Sequence, residues 1–134
     1  MWQNPLLPPH LFVQALLLGS AVWSLLWDVR TLFLLVALLV ITSFVHLLMI
    51  WGEVSLTHPT AHARLAIHEM VQGRYRSDFW IGVALSMLGA MIPLLALLHV
   101  VGLSLGVAGA PVALIGLMLY ENAYVQAGQS VPLA

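Results

Sequence analysis

His46 and Glu53 stand seven residues apart in an otherwise apolar stretch, and on a helix advancing about 100° per residue they share one face. An imidazole that exchanges protons near neutral pH, followed two turns later by a carboxylate, is suited to passing protons to or from a bound quinone. Further along, Tyr120-Glu121-Asn122 and Tyr124 crowd a carboxylate, an amide and two phenols together. Such a group suits either proton access or the hydrogen-bonding of a quinone head, whose carbonyls need donors at about 2.7–3.0 Å. Plainer roles compete: His46 donating to a neighbouring backbone, Glu53 meeting water at a membrane edge, and tyrosines anchoring the end of a helix.

The other histidines offer less. A b-type haem needs two imidazoles at one depth, yet His46 and His99 differ by roughly 20 Å at 1.5 Å of rise per residue. His10 with His46 is a closer pair whose expected depths still differ, so the spacing argues against haem. His58, His62 and His68 accompany Arg64 and Glu69 in a polar segment without cysteine or an HExxH pattern. A solvated amphipathic helix fits them better than a metal site.

The elements that must position these residues are set by composition. The chain has 134 residues, 62% of them hydrophobic and only 7% charged. From Phe79 to Tyr120, forty-two consecutive residues include no Asp, Glu, Lys or Arg. Each charge at the centre of a bilayer costs about 2.5–3.5 kcal/mol on insertion scales, which is the constraint such a run obeys. Four arginines and no lysine exclude a basic nucleic-acid surface. With no cysteine, the chain cannot itself hold an iron–sulfur cluster, attach haem covalently or form disulfides.

The expected fold is an all-α integral membrane domain of four transmembrane helices, spanning about 9–27, 31–51, 79–101 and 104–123. An interfacial segment, 53–78, separates the second and third. The first apolar run follows no basic n-region and exceeds a signal-peptide core, so it is expected to be a retained span. Pro93 removes one backbone hydrogen bond from the third span, and Gly102, Gly106 and Gly109 mark the turn into the fourth. Trp2, Trp27, Trp51, Tyr75 and Trp80 fall at span ends, where amphipathic rings favour headgroups. Gly82, Ser86 and Ala90 line one helix face, a pattern for close packing. The segment 53–78 holds Arg64, Arg74 and Arg76 against Arg30 alone in the first loop, which favours that segment and both termini on the cytoplasmic side.

Three stretches carry a family resemblance: NPLLPPHLFVQALLLGSA from Asn4, GRYRSDFWIGVALSMLGAMIPLL from Gly73, and LMLYENAYVQAGQSVPLA from Leu117. In this order they resemble the later four-helix half of the polysulfide reductase membrane-subunit family, also called NrfD-like. The resemblance implies a non-catalytic anchor in the plasma membrane of a prokaryote. It would exchange electrons between a quinone pool, menaquinone or ubiquinone, and a ferredoxin-like iron–sulfur subunit that serves a molybdopterin-type or related catalytic subunit. Family members carry eight or more helices, so the resemblance also implies a further membrane partner equivalent to the earlier half, with this chain a fragment or a split subunit. On that reading His46, Glu53, Tyr120, Glu121 and Asn122 handle quinone or protons. The rival is a structural or assembly subunit that packs beside such a complex without binding quinone.

Overall fold

The computed structural model describes residues 7–26 and 29–131. Its elements are α1 (Leu7–Leu26), α2 (Val29–Ser55), α3 (Ala61–Val71), α4 (Arg76–Leu97), α5 (Leu103–Gly106) and α6 (Gly109–Ser130). Four segments are long and apolar enough to cross a bilayer: α1, α2, α4, and α5 with α6 together. The expected all-α, multi-pass architecture is what the chain adopts. Trp2, Trp27 and Asp28 lie outside the described residues.

Helix ends differ from the expected spans, α4 running Arg76–Leu97 rather than 79–101, and two of the differences bear on the site. α2 continues past Trp51 to Ser55, so Glu53 belongs to the helix and is buried rather than meeting water at an edge. α6 continues past Ala123 to Ser130, so Glu121 lies well before the final turn. α3 packs chiefly on α6 and α4 beside these extra turns. Instead of lying free at an interface, it packs Met70 into a cluster with Ile50, Phe79, Tyr120, Tyr124 and Ala127. Its first turn is capped by the Thr60 hydroxyl, which accepts from the Ala63 amide at 3.2 Å.

The bundle is apolar outside and partly polar inside. Phe12, Leu26, Leu34, Ile41, Leu48, Trp51, Met87 and Met118 are exposed, whereas His10, Gln14, Ser43, His46, Glu53 and Ser86 are buried. In lipid this is the economical arrangement, because hydrocarbon solvates the apolar surface and leaves polar groups to satisfy one another.

The closest helix pair is α4 with α6. Gly82, Gly89 and Ala96 on α4 repeat every seven residues, as do Gly109, Gly116 and Ala123 on α6, and all six are buried. A Cβ at Gly116 would come 2.5 Å from the Ser86 backbone nitrogen, and one at Gly89 would come 2.6 Å from the Ala113 backbone. Only glycine permits this approach, and the seven-residue repeat keeps the seam aligned. At the far end His99 ends α4 at φ 58°, a left-handed conformation usually left to glycine, while Gly102 caps α5.

Two outcomes follow from this packing. Gly116→Val should destabilise the detergent-solubilised protein by at least about 1–3 kcal/mol through overpacking, measured by thermal unfolding. Gly19→Ala, where a Cβ meets nothing within 4 Å, should be neutral or better. Because the chain has no native cysteine, single substitutions can also report sidedness. Arg64→Cys and Gln129→Cys should label from one side of sealed vesicles, and Ser104→Cys from the other.

Candidate functional site

α1 and α2 form an antiparallel hairpin in which His10 and His46 lie equally far from position 28, so the two imidazoles meet. His10 Nε2 and His46 Nδ1 are 2.9 Å apart, with ring centroids separated by 4.9 Å. The expected difference in their depths does not exist: treating the spans as separate rods misses the symmetry of the hairpin. Two turns beyond His46, Glu53 Oε2 reaches within 3.7 Å of His10 Nδ1. One imidazole thus stands between a carboxylate and a second imidazole, and all three residues are at most 3% exposed.

Tyr120, from α6, covers this line. Its ring lies 5.7 Å from that of His10 and edge-on to His46 at 5.2 Å. Gly82 makes room for it, since a Cβ there would approach the Tyr120 backbone nitrogen to 2.7 Å. Glu121, one residue and about 100° further round, faces the seam between α1 and α6, where its carboxylate accepts a hydrogen bond from Gln14 Nε2. Leu7, His10, Gln14, Tyr120, Glu121 and Tyr124 line a recess in that seam, with room for about one water. Glu121 therefore stands at the mouth of a polar cleft that leads to His10.

Four of the five expected site residues converge, namely His46, Glu53, Tyr120 and Glu121. Asn122 does not join them. Another 100° round α6, it is exposed and donates through Nδ2 to Asp78 Oδ2 at 2.7 Å, tying α6 to the first turn of α4. His10 and Gln14 are the residues that sequence reasoning left out of the site. The signal for His10 was present in its equal spacing with His46 about the first turn. His58 lies nearer solvent, its Nε2 2.8 Å from the Glu53 backbone oxygen. His99 sits at the opposite end of the bundle, beyond α4. Among the described residues, no group of three or more His, Asp or Glu side chains has the geometry to hold a metal ion.

The arrangement has a definite proton chemistry. With Glu53 ionised and both imidazoles neutral, the favoured tautomers place a proton on His10 Nδ1, facing the carboxylate, and one on His46 Nδ1, donated to His10 Nε2. His46 Nε2 then carries a bare lone pair. A proton arriving there moves the His46 Nδ1 proton to His10 Nε2 and, once the 3.7 Å separation closes to hydrogen-bond distance, the His10 Nδ1 proton to Glu53. The sum is one proton taken up at His46 and one carboxylic acid formed at Glu53. The reverse sequence carries a proton inward.

No protein-family model, curated protein or solved structure matches this chain, so the site is read from its own geometry. That geometry predicts energetic coupling between the imidazoles. His10→Leu or His46→Leu alone should cost about 1–3 kcal/mol by stranding the other ring. The double variant should cost less than the sum of the two, by about 0.5–3 kcal/mol, in a thermal or denaturant unfolding cycle.

Proposed function

We propose that this chain is a non-catalytic membrane subunit of a quinone-linked respiratory oxidoreductase, and that its task there is to move protons between the α3 side and the bundle interior. The observation that carries this reading is the direct His10–His46 contact with Glu53 at its end. Buried ionisable groups within membrane spans are costly, and chains of Asp, Glu and His are the usual materials of proton relays. An apolar interior would hold four helices together without them. A purely structural subunit, the reading favoured by the α4–α6 seam, leaves this expense without a purpose.

The recess beside Glu121 accommodates water rather than a quinone ring. The head of menaquinone or ubiquinone would accordingly bind against a second membrane element, with electrons passing to an iron–sulfur partner outside this chain and Glu121 and Glu53 serving the protons. The arginines on and around α3 favour that side as cytoplasmic.

In the complex purified from native membranes, Glu53→Gln and Glu121→Gln should each slow quinol-dependent turnover and the accompanying proton exchange by about tenfold or more, with assembly unchanged. Normal turnover in both assembled variants would remove the proton role and favour a scaffold.

A further inference from the structure

The relay has an inner end. His46 Nε2 is fully buried and has no hydrogen-bond partner, and the same is true of Ser43 Oγ and Ser86 Oγ. Three other Ser and Thr hydroxyls in the spans close onto their own helix: Ser20 donates to Leu17 O at 3.0 Å, Ser24 to Ala21 O at 2.7 Å and Thr42 to Leu38 O at 2.8 Å. Ser43 and Ser86 forgo this local satisfaction.

Helix register puts the residues that carry these three atoms at similar levels. A helical side chain leans toward the N-terminal end of its helix, so His46 covers the turn that contains Ser43. Ser86 sits opposite Gly116 in the tight α4–α6 seam, where a Cβ would come within 2.8 Å of the Ser86 Oγ. On the α2–α4 side, Val36 Cγ1 lies 3.9 Å from where a Cβ on Gly106 would stand, beside Pro93 and Ala96. Advancing two turns along both antiparallel helices places Ser43 level with the stretch from Ser86 to Gly89. Further from α3, Leu17, Ala21, Leu39, Ala110 and Ala113 pack together, and the buried Ser20 and Ser24 hydroxyls bond to their own helix.

We propose that the layer formed by Ser43, Ser86 and His46 Nε2 binds an internal water that hydrogen-bonds to His46 Nε2 and holds the relay's inner end, and that the packing beyond it closes the path. The bundle is then a proton half-channel open only toward α3. Buried waters occupy sites where two to four polar groups lack protein partners, and this layer offers three. In the inward step, Glu53 gives its proton to His10 Nδ1 and His10 Nε2–H passes to His46 Nδ1, leaving an imidazolium at His46 whose Nε2–H donates a hydrogen bond to the water. The outward step is the reverse. The inference rests on the relay described above and adds to it an inner terminus and a barrier.

The test uses the complex from native membranes, with wild type, Ser43→Ala/Ser86→Ala and Glu53→Gln compared. A structure resolving ordered water should show density within about 3.2 Å of His46 Nε2 in the wild type and none there in the double alanine variant. Proton exchange followed by a pH dye on quinol addition should fall about tenfold or more in the double variant. Wild-type structure without that density, or a double variant exchanging protons at the wild-type rate while Glu53→Gln is slow, overturns the water site and leaves the relay standing. Wild-type exchange in Glu53→Gln overturns the relay and the water site together. If the double variant fails to assemble, the wild-type density alone decides.

Discussion

A carboxylate and two imidazoles that cannot face hydrocarbon have to be enclosed by other helices, and the bundle is arranged around that requirement. His10, His46 and Glu53 come from α1 and α2, but the hairpin alone leaves one side of the line open. Tyr120 covers it from α6, and Tyr120 fits because α4 presents Gly82 to its backbone. α6 can approach α4 so closely because the small residues repeat every seven positions on both. The packing of glycines and the placement of the polar line are therefore one constraint seen from two sides. α3 completes the enclosure by capping the same end with Met70.

Among the described residues, the buried polar side chains that do not bond their own helix backbone lie in the α3 half and the middle of the bundle. Below the level of Ser43 and Ser86, the side chains of the core cluster are apolar, and the Ser20 and Ser24 hydroxyls are spent on their own backbones. Such a division would be surplus in a protein whose only task was to hold neighbours together. It suits a device that admits protons from one side and stops them partway, leaving any complete crossing to a second membrane element.

Much of this was legible in the sequence, and the misses have physical causes. The uncharged run from Phe79 to Tyr120, broken by glycines, announced two spans, and the polar segment after Glu53 announced the break between the hairpins. The ends of α2 and α6 were harder to see because nothing in Gly52-Glu53 or in Ala127-Gly128-Gln129 demands further helix. Tyr120, Glu121 and Asn122 looked like one group because they are adjacent in sequence. Helical geometry sends them in three directions, into the core, into the α1–α6 seam and onto Asp78. The His10–His46 contact was hidden for the opposite reason. Thirty-six residues separate the pair, and only folding the chain about its first turn makes them neighbours.

The proposed function requires a proton to move along the line from His46 to Glu53. Infrared difference spectroscopy of the assembled complex on quinol addition tests it most directly, because a carboxyl group and two imidazoles that exchange a proton each change their vibrations. The relay predicts a carboxyl C=O band that changes with quinol, shifts in heavy water and is absent from Glu53→Gln. It also predicts accompanying imidazole bands that are lost in His10→Leu. A difference spectrum unchanged by both substitutions would contradict it.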